Sequence, residues 1–408
     1  MNKNNIQKSR RDFLKKGITG VAGASLLPSF LQGKEVKEKN KEGKSKPKLI
    51  YRTLGRTGIR VPIVGFGCGG ANNENLLRAA VDAGVMHFDV ANICHFGNSE
   101  TTLGEIMKGK PRDSFVVSTK VLMDNDPRTG LFPKNTDIGK FKKKFTESID
   151  RLQTGYVDIL YLHMMNNPAA LGFKPLTDVM LELKKQGKIR AIGVSTHENE
   201  PEVILSAVDN KIFDVILTSY NFRQPHKEEV KAAIDIAAKA GLGVVVMKTQ
   251  AGVYWDSKRE HPINMKAALK WALQDKNVHA SIPGITNFEQ LELDVSVMED
   301  LKLTPAEIKD LKLGEETNVS GLFCPQCGDC RSQCRYNLDI PTLMRSYMYA
   351  YGYRNPAHSK WILEGKDLST ITCRDCKTCA VSCTMGFNVP EKIKDIVRVL
   401  DVPEDFLA

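Results

Sequence analysis

No apolar run in this chain approaches the roughly 20 residues that a membrane-crossing helix needs; the N-terminal candidate, Gly17 to Leu31, stops at about 15. The bulk of the chain also lacks net charge. Of the formal +10, residues 1–48 carry 13 Lys/Arg against 4 Asp/Glu, or +9, which leaves 10 − 9 = +1 for the other 360 residues. That near-neutral remainder removes the main ground for a nucleic-acid partner.

What is present divides the 408 residues into four parts: a signal over 1–33, a linker over 34–48, a first folded domain over 49–316 and a second over 317–408. The basic start "KSRRDFLKKGITGVAGASLLPSFLQG" pairs Arg10 with Arg11, follows them with Phe13 and Leu14, and resembles a twin-arginine (Tat) export signal. "AGAS" at Ala22–Ser25 offers a cleavage site, and a retained anchor is the other outcome. Either places the protein in the periplasm or on the outer face of the cytoplasmic membrane. Residues 34–48 hold little apolar content beyond Val36 and form a solvated linker.

Eight of the ten cysteines fall in two runs of identical spacing. Cys324, Cys327, Cys330 and Cys334 form C-x2-C-x2-C-x3-C, and Cys373, Cys376, Cys379 and Cys383 repeat it. Zinc motifs present two separated C-x2-C knuckles, whereas three thiolates this close wrap an iron–sulfur cube, with the fourth reaching a second cube. The region from about 318 to 395 resembles the bacterial-type ferredoxin module, which implies two 4Fe-4S clusters. Arg335 and Thr384 stand where a proline commonly follows the fourth cysteine, and the insert from Arg335 to Thr372 is enlarged. Its segments "PTLMRSYMYAYGY" and "SKWILEG" are apolar enough to pack as helices beside the clusters. The twin-arginine route carries folded proteins, which suits clusters assembled before export.

From Leu49 onward eight short β-branched runs alternate with helix-periodic segments: "VPIVGFG", "VMHFDV", "FVVSTK", "VDILYLH", "IRAIGVS", "FDVILTSYN", "GLGVVVMK" and "VHASIPG". Eight such alternations predict an α/β fold, a (β/α)8 TIM barrel, followed by the small iron–sulfur domain; a doubly wound sheet is the runner-up. "LIYRTLGRTGIRVP" before the first run predicts a hairpin plugging the lower end. Asp89, Lys120, His163, Ser195, Tyr220 and Lys248 each sit near the C-terminal end of a different run, the face on which parallel barrels place chemistry.

Together with "YRTLGRTGIRVPIVGFG", "GNSE", "IGVSTH", "VVVMKTQAG" and "SIPGITNFEQLE", these residues make the chain resemble the aldo/keto reductase family, in its branch with a ferredoxin-like extension. The resemblance implies hydride exchange between NAD(P) and a small carbonyl or alcohol substrate, with Asp89, Lys120 and His163 in three of four catalytic positions. The fourth position, five residues after the aspartate, belongs to a tyrosine and here holds Cys94. A thiol there is shorter than a phenol and, beside a lysine, tends toward thiolate, which donates no proton. Three readings follow. Water, His95 or His163 supplies the proton; Cys94 acts as a nucleophile or redox thiol; or the barrel has become a ligand-binding or electron-transfer scaffold. A metal site from the adjacent Cys94 and His95 is disfavoured because neighbours seldom ligate one ion.

By the same resemblance Ser195, Thr196, Tyr220, Lys248, Gly284 and Gln290 line the cofactor site. Thr196 replaces a customary asparagine, Leu217 a customary glutamine and Asp294 a common asparagine, and no basic pair awaits a 2′-phosphate, which leans toward NAD. The sequence thus describes an exported iron–sulfur oxidoreductase with an altered tetrad. Its alternative is an inactive barrel binding a ligand or passing electrons, with a redox partner protein and with membrane contact only through a retained signal.

Overall fold

The computed structural model of the chain describes residues 49–67, 73–126, 129–256, 258–317, 322–364, 366–373, 376 and 378–407. The expected signal and linker, residues 1–48, lie outside these, as does Cys68. No helix among the described residues is long and apolar enough to cross a membrane.

A hairpin comes first, β1 (Tyr51–Thr53) antiparallel to β2 (Arg60–Pro62). Its tip turns at Gly55, φ 47°, where a side-chain carbon would lie 2.3 Å from the Gly241 carbonyl oxygen, so only glycine fits. Leu54, Ile59 and Val61 of the hairpin pack with Ile159, Tyr161, Ala191, Val215, Leu217 and Val245 inside the barrel. The hairpin closes the lower end, as its sequence predicts.

Eight parallel strands follow in chain order: β3 (Phe66–Gly67), β4 (His87–Asp89), β5 (Val116–Val121), β6 (Val157–Leu162), β7 (Ile189–Thr196), β8 (Val215–Ser219), β9 (Gly243–Met247) and β10 (Ala280–Ser281). Parallel bridges Val64–Ser281 and Gly67–Gly284 join the first strand region to the last and curl the sheet shut. Each of the eight runs read from the sequence supplies one strand. Their residues alternate between the barrel interior and a layer under the helices, where Phe88, Val117, Leu160, Ile192, Ile216 and Val244 form the main core. Each such residue, fully buried, contributes about 1.5–3 kcal/mol of transfer free energy.

The outer helices are α1 (Glu74–Asp82), α2 (Asn98–Met107), α3 (Ile138–Leu152), α4 (Lys174–Lys185), α5 (Glu200–Asn210), α6 (Lys227–Lys239), α7 (Met265–Gln274), α8 (Phe288–Val297) and α9 (Pro305–Thr317). Capping side chains set several starts: Asn73, Asp137, Asn264 and Asn287 each accept a first-turn backbone N–H. Glu100, the acid of "GNSE", is fully buried and holds Arg151 of α3 at 2.6 Å and the Thr119 hydroxyl of β5 at 2.5 Å.

In the C-terminal domain α10 (Ile340–Tyr347) runs into a π-helical turn, Met348–Gly352, followed by α11 (Pro356–Glu364), α12 (Leu368–Ile371) and α13 (Val389–Val397). A second apolar cluster, including Leu343, Met344, Leu363, Ile393 and Ile396, holds these helices around the cysteines. Another one spans the seam, where Phe222, Trp255, Ile263 and Ala267 of the barrel meet Phe323 and Met348. The Val253 amide donates to the Gly352 carbonyl across the same seam at 2.9 Å. The insert therefore does more than flank the cysteines: it lies over the barrel's C-terminal face.

Candidate active site and cysteine groups

Strand alternation decides which side chains enter the barrel. On β4, β5, β6 and β7 the interior residues are the odd-numbered or even-numbered set that includes Asp89, Lys120, Tyr161 and Ser195, and one further step along β6 brings in His163. These residues, apart from Tyr161, line one cavity of about 850 Å3 at the C-terminal face, together with Cys94, Leu217, Lys248, Gly284 and Gln290. Lys120 Nζ donates to the Asp89 carboxylate and, at 2.8 Å, to the Val90 carbonyl. A lysine ammonium has three donors, so one remains for the cavity. Ser118 Oγ fixes the other oxygen of Asp89 at 2.6 Å.

His163 is buried with Nδ1 unpartnered among the described residues. Burial, then the charges of Lys120 and Arg345, hold its pKa well below that of an ordinary histidine, and His197 behind it is held down in the same way, by burial and then Lys248 and Arg345. A neutral imidazole can orient a carbonyl by hydrogen bonding but carries no labile proton to give.

Cys94 sits beside this pair but is disulfide-bonded, so it offers neither a thiolate nor a proton. A nucleophilic or redox role, one of the three sequence readings of Cys94, would first require this bond to open. His95 and Phe96 follow in the same short 3-10 turn, Cys94–Gly97.

The cofactor residues expected by resemblance divide into two sets. Ser195, Lys248, Gly284 and Gln290 line the cavity. Ser195 Oγ also accepts from the Met164 amide at 3.1 Å. Lys248 would point outward by alternation after Met247, but its φ of 57° breaks the alternation and it faces the cavity. Burial and then Arg345 lower its pKa to about 8. Thr196 and Tyr220 are not in the cavity. The Thr196 hydroxyl is bonded to the Glu198 carbonyl at 2.5 Å, and the Tyr220 ring packs on Trp271 of α7 at 4.9 Å in the outer layer. Both positions carry the outward parity of their strands, a signal already present in the sequence.

The roof of the cavity is what sequence reasoning missed. Thr342, Arg345 and Tyr349 line it from α10 and the π turn, as do Tyr353, His358 and Trp361. The spacing 342, 345, 349 marks one helical face. Pro341 and Met344 of the same helix line a small cleft with Cys324, Cys327, Cys330 and Cys383. One helix thus has the barrel cavity on one side and a cysteine group on the other.

The eight cysteines gather as the ferredoxin resemblance implies. Cys383 of the second run joins the first three of the first run. Cys334 lies in the electrostatic neighbourhood of Cys373, with Cys376 and Cys379. None of the eight is disulfide-bonded. Burial and then the sulfurs of Cys324 and Cys327 push the Cys330 thiol up to about 12, and a cationic centre among the sulfurs would favour its thiolate. The donor set fits iron–sulfur ligation. The barrel cavity likewise fits a nicotinamide dinucleotide in size and in its mixed apolar and polar lining.

A parallel barrel with a lysine–aspartate pair and a histidine at its C-terminal mouth defines a class of barrel proteins, and comparison places the chain within it. Residues 71–266 match the aldo/keto reductase family, and residues 323–388 match the 4Fe-4S dicluster domain. A pyridoxal 4-dehydrogenase of Microbacterium luteolum is 30% identical over 251 residues, covering 50% of this chain and 70% of that one. An aldo-keto reductase of Bacillus subtilis is 31% identical over 194 residues, 44% of this chain and 56% of that protein, so the chain spans little more than half of this relative. An aldo-keto reductase from Bacillus halodurans, in its holo form, has the same fold with a TM-score of 0.52 at 22% identity, over 65% of this chain and 96% of that one. The chain belongs to the aldo/keto reductase family.

Proposed function

We propose that the protein is an exported iron–sulfur oxidoreductase that interconverts a small carbonyl compound and its alcohol. The observation that carries this reading is the convergence of the Asp89–Lys120 pair and neutral His163 on one roofed cavity. A bound nicotinamide cofactor supplies hydride chemistry. The chain's own residues do the rest. His163 orients the carbonyl oxygen, and the third N–H of Lys120 delivers the proton that a tyrosine gives elsewhere in the family. Asp89 keeps that ammonium in place. Ser195, Gly284 and Gln290 line the cavity and would hold the cofactor there, with Leu217 as an apolar lining residue.

The two cysteine groups would each hold one 4Fe-4S cluster. Fixing them keeps the roof in register over the barrel. The paired arginines Arg10 and Arg11 support export, so the nicotinamide would be a resident cofactor and not an exchangeable one.

Anaerobic purification from a periplasmic fraction, with iron and sulfide analysis and mass spectrometry of small molecules released on denaturation, tests the reading. About eight irons, as two four-iron clusters require, with stoichiometric nicotinamide are expected. The same iron without nicotinamide, and no turnover of any carbonyl compound, would replace the enzyme with a ligand-binding or electron-transfer scaffold. A protein found in the cytosol with its leader intact would refute export.

A further inference from the structure

The charges facing the roofed cavity do not balance. Arg345, contributed by the insert between the cysteine runs, is 6% exposed and lines the cavity. One of its N–H groups reaches the Thr342 hydroxyl at 3.3 Å, and its closest carboxylate, Glu198, is 3.9 Å away. Glu198 is already engaged by Arg331 at 2.8 Å. Of the other roof acids, Asp339 is paired with Lys366 at 3.3 Å and Glu364 with Lys360 at 3.7 Å, and Asp89 belongs to Lys120. Lys248 faces the same cavity from the barrel side, and its ammonium forms no ion pair among the described residues. A guanidinium presents five donors in a planar fork, and a buried cation without a full partner is costly.

We propose that Arg345 receives an oxyanion of the substrate, a carboxylate or phosphate, and so selects anionic carbonyl or alcohol compounds over neutral ones. This rests on the reading of the cavity as the substrate site. Its position favours substrate over cofactor phosphate, because Arg345 is close enough to His163 and His197 to depress both imidazoles, which places it at the catalytic end of the cavity. Burial first and Arg345 second lower the pKa of Lys248, against the opposing pull of Glu200 and Glu198. The fork geometry of arginine matches a carboxylate or phosphate in two-point contact.

Calorimetry on the purified holoprotein tests this with D-glycerate against glycerol and with inorganic phosphate as a free oxyanion, and the nicotinamide released on denaturation is measured beside it. Expected is binding of D-glycerate at least about tenfold tighter than glycerol, lost in Arg345→Met, with the nicotinamide content unchanged. Glu198→Gln removes the competing carboxylate and should tighten D-glycerate severalfold, so the inference survives even if Arg345→Met fails to fold. Loss of bound nicotinamide in Arg345→Met with glycerate unaffected would assign the anion to the cofactor and overturn the proposal. Equal binding of glycerate and glycerol would overturn it outright, and binding of phosphate alone without glycerate would do the same. Glycerate binding by protein that holds no nicotinamide would instead leave this inference standing and sink the nicotinamide reading above.

Discussion

Arg331, the residue after Cys330, holds the carboxylate of Glu198 at the end of β7 at 2.8 Å, so a residue of the cysteine region is tied directly to the barrel mouth. Glu198 is buried, and burial raises its pKa despite Arg345 and Arg331. The contact couples the first cysteine run to the barrel mouth.

Iron removal should therefore loosen the seam before it loosens the barrel. Anaerobic chelation is expected to speed hydrogen exchange at the Val253 amide, bonded to Gly352, by at least about tenfold while β9 keeps its protection. Equal protection in both places after iron loss would show that the roof stands without the metal.

Lys120→Met should lower kcat by about 10²–10⁴, the usual contribution of a positioned proton donor. Cys94→Ser should leave kcat within about threefold of the parent while costing about 2–4 kcal/mol of stability through the lost disulfide. Steady-state kinetics and denaturant unfolding read the two effects separately. Ten cysteines less the eight in the two groups and Cys94 leave Cys68 as the expected partner, which non-reducing peptide mapping would identify. A Cys94→Ser variant as inactive as Lys120→Met would restore Cys94 to the chemistry.

Asp294, 1% exposed and bonded to Gln250 at 2.8 Å, has its pKa raised well above the carboxylate range by burial. The folded state then binds this proton more tightly than the unfolded state. Its contribution is fully present below about pH 4, the unfolded value, and is lost as pH rises through the folded pKa. Asp294→Asn should match the parent near pH 3.5 and exceed it at pH 8, as urea midpoints would register. A variant less stable at pH 8 would mean that Asp294 is ionised and paired in the fold.

The ring of Tyr161 covers Gly193 on the neighbouring strand so closely that an added carbon would lie 2.3 Å from it. Gly193→Ala should cost about 1–3 kcal/mol by overpacking. The Tyr161 hydroxyl is buried without a partner among the described residues, so Tyr161→Phe should gain about 1 kcal/mol. Thermal unfolding that ranks the two variants the other way round would indicate a hydroxyl satisfied by bound water.

Much of this was legible in the sequence because strand runs and helix periods are local signals. "VVSTK" and "VDILYLH" announce strands, and the parity of Lys120 and His163 within them already points inward. Tyr220 stands at a strand end but shares the parity of Ile216, which packs outward. Lys248 reaches the cavity by a left-handed residue that no alternation rule anticipates. The roof was hidden for a different reason. Arg345 and Tyr349 lie about 180 residues beyond His163 in the chain, and a helix with two usable faces does not declare in its sequence which partner each will meet.

The exchange of the fourth cysteine between the two groups also has a topological effect on the roof. Three sulfurs of one run and one of the other form each group, so a metal centre in either one ties the two ends of the insert together. The roof helices are carried on a loop fastened by two clasps of opposite sense. Because loop-closure entropy grows only slowly with length, the first clasp bears most of the ordering cost and the second closes an already shortened loop. Maturation of the mouth would then be cooperative: a half-loaded molecule already resembles the finished one in outline, and the second centre locks it.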